Sequence, residues 1–291
     1  MSRRYVQLDV FAGHPGDGNP LAVVLDGDGL DDPAMQAIAR WTRLPETTFV
    51  LPATDPGADY RLRIFSPRRE VPFAGHPSVG TAHAVLEAGI ASARDGQLVQ
   101  EGAAGLLPLR VEGEGARRTI AVRTPRARVM EIAAPGDLRL RASLRGLPLG
   151  RLPPALMDGG RRWWLVELSD ETALRAATPD WTAISELAHA TGSMGVCVFA
   201  RSDDPVYYLA VRAWVGAPAH FEDAASGAAN ATLAAWLASR DALPGDTGFY
   251  RVSQGREVGH DAIIELRVDD DGEVWSGGRA CTVVRGAIDW P

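Results

Sequence analysis

The chain has 291 residues, 46% of them hydrophobic, and a formal net charge of -7. That acidic balance argues against a nucleic-acid partner, and no stretch reaches the roughly 18 apolar residues a membrane span needs. The start, Met1-Ser2-Arg3-Arg4-Tyr5, is basic without the apolar core of a secretion signal, and two cysteines, Cys197 and Cys281, cannot make a disulfide framework; the expectation is a cytoplasmic protein in a reducing compartment.

At roughly 150 residues per domain, two domains are expected. Tyr5 to Phe11 alternates like a first strand, Gly13 to Pro20 is a turn-rich loop ending in Gly18-Asn19-Pro20, and Leu21 to Leu25 returns as a strand. Asp31-Asp32 caps a helix from about Pro33 to Trp41 whose apolar face carries Met35, Ile38 and Ala39. Strands follow at Leu44 to Leu51 and Tyr60 to Phe65.

Phe73-Ala74-Gly75-His76-Pro77-Ser78-Val79-Gly80-Thr81-Ala82-His83-Ala84-Val85-Leu86 then reads as a strand end, a turn and an apolar helix stopping near Gly89. Pro77 suits a first helical turn, where its missing N–H costs nothing. The small residues leave the helix-start N–H groups open to an anion such as a carboxylate. Further strands are expected at Leu98 to Gln100, Gly105 to Val111 and Thr119 to Arg123.

The order then repeats. Trp163 to Leu168 is a strand, Asp180 to Ala190 a capped helix, Val196 to Ala200 and Tyr207 to Val215 strands, and Ser226 to Arg240 a second central helix. Strands at Phe249 to Gln254, Ala262 to Val268 and Ala280 to Arg285 complete the chain. An offset of 147 places His76 on Asp223 and Gly80 on Gly227, which reads as an ancient duplication. The fold class is therefore α/β (α+β): two pseudo-symmetric halves, each a curved sheet or barrel around its own central helix. The first half is 1–124, joined by a last strand within 277–291; the second is 125–276. Each half is expected to aim a helix start and one ionisable group into the cleft between them. The scattered arginine pairs, including Arg3-Arg4, read as solvated rim, with attraction of an acidic substrate as the alternative for Arg68-Arg69, close before Gly75-His76.

Glu46 is the candidate base, an acid between Leu44-Pro45 and the β-favouring Thr47-Thr48-Phe49-Val50. Such a carboxylate at a strand start is also an ordinary cap or solvated end, but its counterpart in the second half, around Gly195, carries no acid. His76 and Asp223, at corresponding helix starts, are candidates to converge on one ligand. No HExxH, CxxC or other ligand spacing marks a metal site, and no GxGxxG marks a nucleotide. Neither metal nor cofactor is expected.

Gly18-Asn19-Pro20, Glu46-Thr47-Thr48-Phe49-Val50, Phe73-Ala74-Gly75-His76-Pro77 with Gly80-Thr81-Ala82, Glu222-Asp223 with Ser226-Gly227, Gln254-Gly255 and Gly277-Gly278 together resemble the PhzF family of phenazine-biosynthesis isomerases across nearly the whole chain. The resemblance implies a diaminopimelate-epimerase-like fold, a cofactor-free site and a homodimer. It implies that Glu46 shuttles a proton between carbons of a small, cyclic, unsaturated carboxylate or amino acid, assisted by His76 and Asp223. Asn19, Gly75, Ser226, Gly227 and Ala228 are the accompanying substrate-binding positions. The chain departs from the family's usual motifs at Pro45 and at Ala228, where serines are common. The related epimerases carry two cysteines at their helix starts, whereas Cys197 and Cys281 lie elsewhere. An epimerase or dehydratase using the same base, or a silent binding protein, are the alternatives. A specialised biosynthetic pathway suits the Ala- and Arg-rich composition.

Overall fold

The computed structural model describes residues 2–134 and 136–290. In chain order its elements are β1 (Ser2–Val10), β2 (Asn19–Val24), α1 (Asp32–Thr42), β3 (Glu46–Leu51), β4 (Tyr60–Phe65), β5 (Glu70–Val71), α2 (Gly75–Glu87), β6 (Gln97–Gly102), β7 (Gly105–Glu112) and β8 (Thr119–Arg123). There follow β9 (Arg128–Ile132), α3 (Leu138–Ser143), β10 (Ala155–Asp158), β11 (Arg162–Glu167), α4 (Glu171–Ala176), α5 (Trp181–Thr191), β12 (Gly195–Arg201) and β13 (Leu209–Val215). The last are β14 (Phe221–Asp223), α6 (Gly227–Ser239), β15 (Phe249–Gln254), β16 (Ala262–Val268), β17 (Val274–Gly278) and β18 (Ala280–Asp289). The chain forms two compact units, one of residues 2–123 with 277–290 and one of residues 124–276.

In the first unit, β1 pairs antiparallel with both β18 and β2. From there β2 runs parallel to β3, β3 antiparallel to β4, and β4 antiparallel to β5 and parallel to β6. Helix α1 begins as its sequence dictates: Asp31 accepts the Ala34 N–H at 2.8 Å, Pro33 sits in the first turn, and Arg43 ends the helix in the left-handed region. Its apolar face, Met35, Ile38 and Ala39, packs on Val24, Phe49 and Phe65.

The other face of these strands holds α2. Every residue of α2 from Gly75 to Val85 is buried, and the helix packs against β1, β2, β3, β4, β6, β8 and β18. A helix surrounded this way cannot afford bulk. An ideal Cβ on Gly80 would lie 2.6 Å from both the Leu21 and Val10 side chains, so the helix backbone itself is in contact with the sheet. Buried hydroxyls on this face are paired: Thr48 with Thr81 at 2.8 Å, and Ser78 with Gln100 at 3.2 Å, Gln100 in turn accepting from Tyr60.

The second unit repeats the wiring. β10 pairs antiparallel with β9 and β11, β11 runs parallel to β12, β12 antiparallel to β13, and β13 antiparallel to β14 and parallel to β15. Helix α5 joins the parallel pair as α1 does, capped by Asp180 on the Ala183 N–H and ended by Gly192 in the left-handed region. It covers Trp164, Val196, Val198 and Trp214, while α6 packs against β9, β10, β11 and β16.

This wiring corrects the repeat offset read from the sequence. Thr48 pairs with Ile64 and Ile64 with Val71; Cys197 pairs with Ala213 and Ala213 with Asp223. Asp223 thus occupies the place of Val71. The helix starts put Gly75 and His76 in step with Gly227 and Ala228. The offset changes because residues 66–69 separate Phe65 from its partner Glu70, whereas residues 215–221 separate Trp214 from its partner Glu222. The runs of alanine and glycine around both helix starts hide those extra residues in a gap-free comparison.

Several short elements went unforeseen. Residues 125–154, for which no element is expected above, contain β9 and α3; α4, β5, β14 and β17 also lacked a periodic signal. Helices α3 and α4 are set by aspartate caps, Asp137 on the Arg139 N–H and Asp170 on the Ala173 N–H. Arg3 is buried rather than part of a solvated rim, because its guanidinium donates to the Asp26 and Asp28 carbonyls.

Alanine is a better helix former than glycine by roughly 1 kcal/mol, yet Gly80→Ala should destabilise the protein by a net of about 1–2 kcal/mol, because Val10 and Leu21 have nowhere to move. Urea denaturation of the two proteins measures this; a stabilised variant would show that the contact is soft.

Candidate functional site

Thr48 faces α2, since its hydroxyl meets Thr81, and side chains alternate along a strand. Glu46, two residues earlier, therefore projects on the same side, at the end of β3 nearest the start of α2. Its carboxylate Oε2 lies 3.4 Å from His76 Nε2, with side-chain exposures of 14% for Glu46 and 9% for His76. The pair is nearly enclosed but reachable. Asn19 joins the same end of the sheet: it is buried at the start of β2, paired with Val10, two residues before Leu21, which lies opposite Glu46. Gly18 is required beside it, because a Cβ there would fall 2.5 Å from the Val10 carbonyl oxygen.

The start of α2 has no side-chain cap, and its first intrahelical bond runs from the Ser78 N–H to the Ala74 carbonyl. Of the three preceding positions Pro77 has no N–H, so the N–H groups ahead of that bond are those of Gly75 and His76. Helix α6 reaches the same count by another route. Its first bond runs from Asn230 to Ser226, and the Ser226 hydroxyl accepts from Ala229, leaving the Gly227 and Ala228 amides ahead of the cap. Each unit therefore displays two adjacent N–H groups at the positive end of a buried helix, an arrangement suited to a carboxylate or an enolate-like oxygen.

Asp223 ends β14 three residues before Ser226, in the cross-strand row with Cys197 and Ala213, on the sheet face opposite α5. It is half-buried, and its Oδ1 accepts the Ala225 N–H at 3.3 Å. The neighbouring Glu222 is locked by Arg212 at 2.8 Å, both side chains 5% exposed, and Arg212 also donates to the Leu174 and Ala177 carbonyls. The structure thus brings together Asn19, Glu46, Gly75 and His76 in the first unit, and Asp223, Ser226, Gly227 and Ala228 in the second.

The counterpart of Glu46 is Gly195, the first residue of β12. Its φ is 150°, and a Cβ there would stand 2.0 Å from the Trp214 carbonyl oxygen. No side chain fits, so the second unit has no acid at this place for a steric reason. Burial, with the Asp223 charge adding to it, pushes the Cys197 thiol up to about 12, and Cys281 on β18 is also raised, first by burial and then by Asp9. Neither is a thiolate near neutral pH. Among the described residues no group of three or more His, Cys, Asp or Glu side chains is arranged to hold a metal ion. A cavity of about 550 Å³ lined by Trp181, Ser185, Glu186, His189 and His220 lies against α5, on the other side of that sheet from Asp223.

The sequence matches the PhzC-PhzF family, described as phenazine biosynthesis-like protein, over residues 8–286. The chain belongs to the PhzF family. Among curated PhzF relatives, antisense-enhancing sequence 1 of Schizosaccharomyces pombe is 33% identical over 97% of each chain. The trans-2,3-dihydro-3-hydroxyanthranilate isomerase of Pseudomonas aeruginosa is 32% identical over 93% of this chain and 92% of its own. A solved PhzF-family protein of Bacillus anthracis shares the fold over 100% of both chains, with a TM-score of 0.83 at 23% identity. The chain is accordingly a PhzF-family isomerase with a diaminopimelate-epimerase-like fold.

Two features of this PhzF chain escaped sequence reasoning. Gln254, noted there only as part of a motif, is fully buried and bonded to the loop that carries Asp223 and Ser226. His83, two helical turns beyond His76, is buried with no hydrogen-bond partner at either ring nitrogen. Burial lowers its pKa, reinforced by Arg118 and Arg285 and opposed by Glu87. Only the length of the helix, which carries His83 past the polar end, betrays it.

Below the ordinary histidine value near 6.5 the unfolded chain takes up a proton at His83 that the folded chain refuses, so stability falls as pH falls through that value. The slope from this group should approach about 1.4 kcal/mol per pH unit at most. Urea denaturation between pH 7.5 and 5 should show His83→Leu losing less stability on acidification than the parent. Parallel curves would show that His83 is not the responsible group.

Proposed function

We propose that this isomerase moves a proton, and with it a double bond, within a small, cyclic, unsaturated carboxylate or amino acid, using Glu46 as the base and no cofactor. The observation that carries the reading is the Glu46 carboxylate 3.4 Å from His76 Nε2 at the uncapped start of α2. A base needs a partner to exchange or hold the proton, and an enolate-like intermediate needs donors aimed at its developing charge. Glu46 removes a proton from a carbon next to the unsaturated system. The electron pair delocalises onto the substrate's acyl oxygen, with the Gly75 and His76 amides as donors, and protonated Glu46 returns the proton to another carbon. Asp223, Asn19, Ser226, Gly227 and Ala228 are proposed to bind the substrate's polar groups. The P. aeruginosa relative's name, an isomerase of a dihydro-hydroxyanthranilate, supports this substrate class.

Pro45 and Ala228 each remove a hydroxyl that the family's usual serines would offer. A substrate with one polar group fewer than the phenazine precursor fits that loss. The reading extends to a cytoplasmic homodimer in secondary-metabolite biosynthesis, as the family resemblance and the two free cysteines suggest. A two-thiol racemase is disfavoured, because neither Cys197 nor Cys281 stands at a helix start.

Proton NMR in deuterated water with a panel of cyclic diene and enamine carboxylates tests this directly. Wild type should shift a double bond and incorporate deuterium, and Glu46→Gln should be slower by roughly 10²- to 10⁴-fold. A Gln variant as active as wild type would remove Glu46 from the mechanism. In the same assay the paired variant Cys197→Ala, Cys281→Ala should keep its turnover; loss of turnover in a folded protein would reopen the thiol chemistry.

A further inference from the structure

We infer that Gln254 is a positioning residue for the second helix start, setting both the direction of Asp223 and which α6 amides remain available to a ligand. The inference rests on the reading above for its catalytic consequence, but its structural basis lies wholly within the second unit.

Gln254 is the last residue of β15 and is fully buried. Its Oε1 accepts two hydrogen bonds, from the Ser226 N–H at 3.1 Å and from Asn230 Nδ2 at 2.7 Å. Its Nε2 donates to the Asp223 carbonyl at 2.8 Å. One amide therefore ties the residue bearing the carboxylate, the N-cap of α6 and the first turn of α6 to a central strand. Asn230 closes the arrangement by also donating to the Ser226 carbonyl at 2.9 Å. A simpler residue could fill the space but could not both accept and donate.

The selection of donors follows from this geometry. With the Ser226 N–H held by Gln254 and the Ala229 N–H by the Ser226 hydroxyl, the Gly227 and Ala228 amides are left facing forward. Removing the Gln254 acceptor would release Ser226 to turn its amide toward an incoming anion, or to let the loop from Asp223 to Ser226 swing. The site would then keep every group that touches the substrate yet lose their register. The chain next to Gln254 allows little adjustment: Gly255 has φ 102°, and a Cβ there would lie 2.4 Å from the Ala224 carbonyl oxygen. On the far side of Asp223, the enclosed Arg212–Glu222 pair fixes β14. The loop is therefore pinned at both ends, and Gln254 is the pin that reaches the catalytic side.

Gln254→Met removes all three bonds with little change in volume, and Gln254→Glu keeps an acceptor for Ser226 and Asn230 while losing the donor to Asp223. Amide NMR spectra of the intact variants, with folding checked by thermal melting, should show altered Ser226, Gly227, Ala228 and Asn230 signals in Gln254→Met against an otherwise preserved spectrum. The Ser226 signal should be retained in Gln254→Glu. With any panel substrate that wild type turns over, kcat should fall on the order of 10- to 100-fold in Gln254→Met with KM changed far less, and by an intermediate factor in Gln254→Glu. Unchanged helix-start amides in Gln254→Met, or a kcat loss no larger than in an equally destabilised variant remote from the site, would overturn the inference. If Gln254→Met does not fold, Gln254→Glu decides through the Ala224 and Ala225 amide signals, which should move because the donor to the Asp223 carbonyl is lost while Ser226 keeps its acceptor; unmoved Ala224 and Ala225 signals would overturn the inference. If wild type turns over no substrate, the isomerisation chemistry proposed above fails separately, while the amide signals still decide the role of Gln254.

Discussion

The constraint on which the rest depends is the enclosure of a helix by its own sheet. Once α2 is surrounded by strands, its flanks must be apolar and thin, because close packing leaves no space for large side chains and no water for polar ones. Gly80, pressed against Val10 and Leu21, is the tightest point of that fit. The helix can then meet a polar partner only at its start. Glu46, Asn19 and His76 gather there because β2, β3 and α2 all begin at that end. The first unit's candidate site is thus a by-product of how its core is closed.

The two units show how one wiring can carry different chemistry at its helix starts. Both leave two amides ahead of the first helical bond, one by proline at the third position and one by a serine cap with Gln254 behind it. Proline needs no support, because it subtracts a donor covalently. The Ser226 N–H is satisfied by Gln254, whose oxygen also accepts from Asn230. Buried polar groups of this kind are costly when left unbonded, and in this set the side-chain oxygen of Asn230 has no hydrogen-bond partner.

Much of this was legible in the sequence. Alternation located the longer strands, and Asp31, Asp180 and Gly89 marked helix ends. The motif containing Gly75-His76-Pro77 marks the helix start in the sequence itself. What escaped was whatever depended on contacts distant in the chain. The repeat offset failed because small-residue runs align equally well at several registers, and only strand pairing shows that Asp223 stands where Val71 does. Arg3 looked like a surface charge because sequence does not reveal the carbonyls of Asp26 and Asp28 that receive it. Gln254 looked like a motif letter because its three partners lie 24 to 31 residues away in the chain.

Gly195 limits where an acid could be placed in this chain. A descendant that lost Glu46 could not restore an acid by mutating the matching position of the other copy, since the strand carrying Trp214 would first have to retreat. Two coordinated changes are required where one would otherwise suffice, and the first of them alone is damaging. The asymmetry between the two units is therefore one that no single substitution at this position can undo.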